Sequence, residues 1–272
     1  MALPPPGDDR AAIVTGASSG IGEQFAGILS RCGYRVVLVA RSAERLEALA
    51  ARLGPQAHPL PADLADRTER AGLPGRVADL GLVPDILINN AGFSTLGLVA
   101  KSVPEQEVNL VEVDVAAVVD LCSRFLPGMV DRHRGAVLNV ASIAAFGPLP
   151  GQAAYGAAKA FVLSYTHSLR AEVRGTGVTA TALCPGPVDT GFGEAAGFSK
   201  RGSRIRPATG DVDCGRQGGA GRNRRSCGRQ GRRRPWSCQS GRVGPFPGRA
   251  TRTVVAPAGT RPPGFQTGLK RE

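Results

Sequence analysis

The sequence predicts an α/β fold, a doubly wound parallel sheet of the Rossmann type in a single domain. Three observations carry that expectation. A Gly-rich turn joins an apolar run to an amphipathic stretch within residues 11–32, short apolar runs recur down the chain, and helix-length segments separate them. Continuous apolar runs are what strands buried on both faces look like, as in a parallel sheet covered by helices on either side. A chain of 272 residues accommodates one such domain with a sizeable core, not two ordinary enzyme domains.

Taken in order, residues 11–15 (AAIVT) read as the first strand, and Ile21, Phe25, Ile28 and Leu29 give residues 20–32 helical spacing. Arg35–Ala40 is a second buried strand, and Ser42 is placed to cap a helix over 43–53. The segment 66–81 is helical in pattern but weakened by Gly72, Pro74 and Gly75, so its boundaries stay open. Further strands are expected at 85–89, 136–140 and 178–183, with helical stretches around 104–133 and 152–174 between them. Residues 1–10 read as a flexible N-terminus, 11–198 as the α/β domain and 199–272 as a low-complexity, disordered tail.

The net charge of +12 would suggest an anionic partner only if it were spread over the fold. It is not: residues 1–199 carry 16 Lys and Arg against 19 Asp and Glu, residues 200–272 carry 18 against 3. The six cysteines contain no CxxC pair, and no histidine follows His167 to complete a zinc set. A reduced, cytoplasmic protein is the expectation, with no metal, since neither a leader-like N-terminus nor a membrane-length apolar stretch occurs.

Glycines 16, 20 and 22 in the first turn let the backbone approach a pyrophosphate, with the N–H groups of the following helix facing the anion. The spacing G-x-x-x-G-x-G is weak alone and gains weight from its place between strand and helix. The second strand ends in Arg41 rather than a carboxylate, which favours NADP(H) over NAD(H), unless the guanidinium merely caps a solvated helix start. Tyr155 and Lys159, four apart in a helical stretch, share a face. The ammonium can stabilise a phenolate there and so make the tyrosine a usable general acid or base. Ser142 follows a buried strand, where a hydroxyl can bond a substrate oxygen.

These residues together resemble the short-chain dehydrogenase/reductase family. The matching motifs are TGASSGIG at 15–22, Asp63-Leu64 after the third strand, Asn89-Asn90-Ala91-Gly92 after the fourth, Ser142, Tyr155-x-x-x-Lys159 and Pro185-Gly186-Pro187-Val188-Asp189-Thr190 after the sixth. The resemblance covers about residues 10–192 and says little about the substrate. It implies an oxidoreductase moving hydride between NADP(H) and a carbonyl or secondary alcohol, acting on a small molecule, with a family-like homo-oligomer. It further implies that Gly16, Ser18, Ser19, Gly20, Ile21 and Gly22 hold the dinucleotide, that Asp63 and Leu64 contact adenine, and that Asn90, Ala91 and Gly92 line the cofactor cleft. Lys159 would also hold the nicotinamide ribose beside Tyr155, Pro185 and Gly186 would belong to the cofactor site, and Val188 with Thr190 would hold the carboxamide. Where the family usually carries an asparagine that holds a proton-relay water, this chain has Asp114, which predicts lower activity or a shifted pH profile.

After Phe198 the periodicity stops and Arg, Gly, Pro and Ser take over. Three readings stay open: a disordered extension, a nucleic-acid arm, or a sequence out of frame. Only Trp236, Phe246 and Phe265 could stack on bases, so nucleic acid is disfavoured. A frame shifted by one nucleotide permits Met-Trp-Ile from Asp211–Cys214 and a strand-like Gly-Lys-Ala-Val-Val-Val-Pro-Gly from Arg229–Gly241. From Arg261–Lys270 it permits Ala-His-Pro-Gly-Phe-Lys-Arg-Asp and then a stop. The hypothesis is a shift near residues 193–210 that removes the family's last strand, exposing the sixth as an edge and weakening the oligomer. Resequencing decides it, an unambiguous and uninterrupted frame, with related proteins ending in the same Arg-rich tail, being the refuting result. A catalytically silent dinucleotide-binding protein is the remaining alternative.

Overall fold

The structure, a computed structural model, describes residues 3–186. The tail and the residues Val188 and Thr190 lie outside the described residues, as does the expectation about a missing last strand. Six parallel strands form one sheet in the order β3-β2-β1-β4-β5-β6. These are β1 (Arg10–Thr15), β2 (Arg35–Ala40), β3 (Ala57–Pro61), β4 (Val83–Asn89), β5 (Gly135–Val140) and β6 (Val178–Leu183). The helices are α1 (Gly20–Arg31), α2 (Ala43–Leu53), α3 (Arg67–Ala78), α4 (Pro104–Val111), α5 (Ala117–Asp131) and α6 (Ala153–Glu172).

The apolar runs form strands because each buries both faces. In the pairing of β1 with β2, Ile13 lies opposite Val37 and Val14 opposite Leu38. Ile13, Val37, Leu87 and Val137 enter one core with Leu73, Leu121 and Val162 of α3, α5 and α6. Val14, Val36, Leu38 and Ile88 enter the other with Leu29 and Leu46 of α1 and α2. Alternate residues along a strand thus feed opposite layers. The strand order reverses between β1 and β4, and crevices for ligands open at such a switch point beyond the carboxyl ends of the strands.

Two local findings depart from the periodicity. The residues of α1 buried against the sheet are Gly22, Ala26, Gly27, Leu29 and Ser30, with Ile21, Phe25 and Ile28 only partly covered. Small residues let this helix sit close to the strands. The stretch around 104–133 is not one regular helix: a π-helical turn, Glu112–Ala116, separates α4 from α5. α3 forms despite Pro74, with the Asp66 side chain accepting from Thr68 N at 2.6 Å and Glu69 N at 3.2 Å. Those amides hold the Asp66 carboxyl below the usual carboxylate range.

At the base of the sheet, Tyr34 Oη donates to Pro4 O at 2.6 Å, and Arg134 donates to Pro5 O. Cys122 is buried and not in a disulfide, whereas Cys32 is disulfide-bonded, which departs from the expectation of a reduced protein at that position. Among the described residues no helix is long and apolar enough to cross a membrane, and no cluster of metal-binding side chains occurs.

Candidate active site

All six strands deliver a predicted site residue to the same edge of the sheet. Beyond their carboxyl ends stand Asp63 after β3, Arg41 after β2, Gly16 after β1, Asn90 after β4, Ser142 after β5 and Pro185 after β6. Backbone bonds hold neighbouring tips together. Ala62 N donates to Ala40 O at 2.9 Å, Ala17 N to Val39 O at 3.2 Å, and Ile143 N to Pro185 O at 3.0 Å.

The Gly-rich turn is fastened to β4 by Thr15 and Asn90. Thr15 Oγ1 accepts from Asn90 N at 2.9 Å and Ala91 N at 3.0 Å and donates to Ile88 O at 3.3 Å, the full capacity of a hydroxyl. Asn90 Nδ2 donates to Thr15 O at 2.9 Å and Gly16 O at 3.3 Å. Gly22 is required where it stands, since a Cβ there would lie 2.2 Å from Gly16 O. Ser19, the N-cap of α1, makes no side-chain cap bond, so it leaves the first-turn N–H groups open toward the turn. Open amides at a helix N-terminus beside close-packed glycines fit a pyrophosphate. Ser18 and Ile21 flank this opening half-buried.

Beyond β2, Arg41 is exposed. Asp63 Oδ1 accepts from Ala65 N at 2.9 Å, which folds the loop back on itself. The Leu64 side chain is buried in the core, so this residue can offer a base only its backbone.

At the other end, Lys159 and Asp114 form a buried ion pair, with Nζ 2.9 Å from Oδ2 and side chains 6% and 0% exposed. The contact is a charge pair rather than an aligned hydrogen bond, for Oδ2 has no partner of hydrogen-bonding geometry among the described residues. Asp114 Oδ1 accepts from Phe93 N at 3.0 Å. A Cβ at Gly92 would meet Oδ2 at 2.8 Å, which is why the loop after β4 can wrap this carboxylate only with glycine there. Burial pushes the Asp114 carboxyl above the usual range, opposed by the Lys159 charge. Lys159 Nζ also donates to Val140 O at 3.3 Å and lies 5.6 Å from the centre of the Tyr155 ring. Tyr155 is buried beside Leu110 and Ala158. Ser142 Oγ accepts from Ala144 N at 3.1 Å, capping a 3-10 turn over Ile143–Phe146, and keeps its own proton for donation.

The sequence reading did not single out Thr15, Phe93 or the Val140 carbonyl. Thr15 carried a signal, a hydroxyl closing an apolar strand. The backbone groups of Phe93 and Val140 carried none.

The family described as short chain dehydrogenase matches residues 10–198. A serine 3-dehydrogenase of Rhizobium radiobacter is 35% identical over 185 residues, 66% of this chain and 72% of that protein. Among solved structures, a short-chain dehydrogenase from Sphingobium yanoikuyae in complex with NADPH aligns with a TM-score of 0.66 at 35% identity, over 70% of this chain and 75% of that one. A 3-ketoacyl-(acyl-carrier-protein) reductase from Brucella melitensis complexed with NADH aligns with a TM-score of 0.66 at 29% identity, over 70% and 80% of the two chains. With six strand tips converging on one edge and this breadth of match, the chain belongs to the short-chain dehydrogenase family of NAD(P)-dependent oxidoreductases.

Proposed function

We propose that the protein interconverts a small carbonyl compound and the corresponding secondary alcohol with NADP(H), using Tyr155, Lys159 and Ser142. The observation that carries this reading is the buried Lys159 ammonium, fixed by Val140 O and Asp114 and lying 5.6 Å from the Tyr155 ring centre. In the reducing direction the bound cofactor supplies a hydride to the carbonyl carbon. Tyr155 gives its phenolic proton to the carbonyl oxygen as negative charge develops there, and Ser142 holds the same oxygen by donating its hydroxyl hydrogen. Lys159 stabilises the phenolate left behind. An ammonium has three protons, and the bond to Val140 O takes one of them, so protons remain for a ribose hydroxyl.

NADP(H) rather than NAD(H) is favoured by Arg41, an exposed guanidinium where an acidic residue would repel a 2′-phosphate. The solved relatives include both an NADPH and an NADH complex, so this preference rests on Arg41. A panel of ketones tests the reading: NADPH is consumed with at least one of them, and Tyr155→Phe lowers that rate by at least about a hundredfold. A rate unaffected by the substitution refutes it.

One observation favours a second, slower version of the same chemistry. The Asp114 carboxylate neutralises the charge meant to stabilise the phenolate, so this chain works as an impaired member of the family until Asp114 is protonated or replaced.

A further inference from the structure

Arg70 of α3 carries a buried guanidinium, its side chain 3% exposed. Such a group is costly to bury unless its donors are met. Here Nη1 donates to the carbonyl oxygens of Leu64 and Ala65, Nη2 lies 3.2 Å from Glu112 Oε2, and Nε lies 3.3 Å from Asp120 Oδ2. Arg67 shares Glu112 at 3.0 Å and Arg124 shares Asp120 at 2.8 Å, so two carboxylates serve three guanidinium groups. Glu112 is held below the usual carboxylate range, by the Arg67 hydrogen bond first and the Arg70 bond after it.

The position of this group is what gives it a role. The two carbonyls it takes belong to the turn after β3, the turn that begins at Asp63. With Asp63 Oδ1 accepting from Ala65 N and Asp63 N donating to Glu69 Oε2 at 2.7 Å, the turn is pinned from both sides. The other face of the guanidinium grips Glu112, first residue of the π-helical turn that presents Asp114 to Lys159. One side chain thus fixes the turn beside β3 relative to the turn beneath the reacting groups. α3 itself cannot do this by helix strength, since Gly72, Pro74 and Gly75 lie within it.

We infer that Arg70 is a positioning residue for dinucleotide binding, holding the 63–65 turn in the shape that receives the adenine end of the cofactor. The inference rests on the dinucleotide site proposed above. Arg70→Lys keeps the charge but cannot reach two carbonyls and two carboxylates from one planar fork. The predicted result is a dissociation constant for NADPH raised about tenfold, with ADP weakened alongside it and nicotinamide mononucleotide binding unchanged. Asp120→Asn, which loosens only the outer grip, raises the NADPH constant in the same direction by a smaller factor. That variant decides the matter should Arg70→Lys fail to fold.

Unchanged NADPH and ADP affinity in a folded Arg70→Lys protein overturns the inference, as does an equal loss for ADP and nicotinamide mononucleotide, or an unaltered Asp120→Asn protein. Failure of the unmodified protein to bind NADPH at all overturns the dinucleotide reading beneath it.

Discussion

Asp114 is the residue whose chemistry the sequence announced and whose partner it did not. The aligned segment showed a carboxylate where the family has an amide, yet only the fold brings that carboxylate 2.9 Å from Lys159 Nζ. The same holds for Leu64, named for adenine contact on its motif but turned into the core. Because burial raises the Asp114 carboxyl, the folded protein holds a proton there that the unfolded chain has already released. Folding stability therefore falls as pH rises from the ordinary aspartate value of 3.8 toward the raised folded value, and the fall is complete above it. Asp114→Asn removes that segment of the curve, which urea midpoints measured across pH in both proteins will reveal. Catalysis shifts too. An ammonium no longer cancelled by a carboxylate acidifies its surroundings more strongly, so the rising limb of alcohol oxidation moves to lower pH by on the order of one unit in Asp114→Asn. Superimposable pH–rate curves contradict this.

Among the elements, β2, α2 and β6 were legible to the residue, because apolar runs and the Ser42 cap state their own limits. The π-helical turn at Glu112–Ala116 was not, since an extra residue in a helical turn leaves the apolar spacing of its surroundings nearly intact. The larger side chains that give α1 its helical spacing do not by themselves mark its buried face, because close approach to a sheet selects glycine and alanine there. That closeness is testable. Gly22→Ala puts a methyl 2.2 Å from Gly16 O and must displace the turn from α1. Fluorescence titration should show NADPH binding weakened by at least about tenfold, or about 1.4 kcal/mol. Retained affinity would mean that the turn does not meet the cofactor.

For the molecule as a whole, sheet order and the two cores follow from the strand pattern, but the ties across its base do not. Asp85, its side chain 3% exposed at the start of β4, meets Arg10 at 3.6 Å, Arg132 at 3.5 Å and also Arg134. A lone aspartate in an apolar run gives no hint of partners nearly fifty and seventy-five residues away. Asp85→Ala leaves three guanidinium groups facing one another without their anion and should cost about 3 kcal/mol in urea unfolding. The family match stops at residue 198, where the charge balance of the sequence changes sign. The function proposed above is hydride transfer at this edge with Tyr155 as the proton donor. The decisive measurement is the transfer of deuterium from NADPH labelled at its reactive ring carbon into the alcohol product, read by mass spectrometry. The label should appear in product made by the unmodified protein, and the amount of labelled product formed in a fixed time should fall at least about a hundredfold with Tyr155→Phe. Unlabelled product, or as much labelled product from both proteins, would contradict the account.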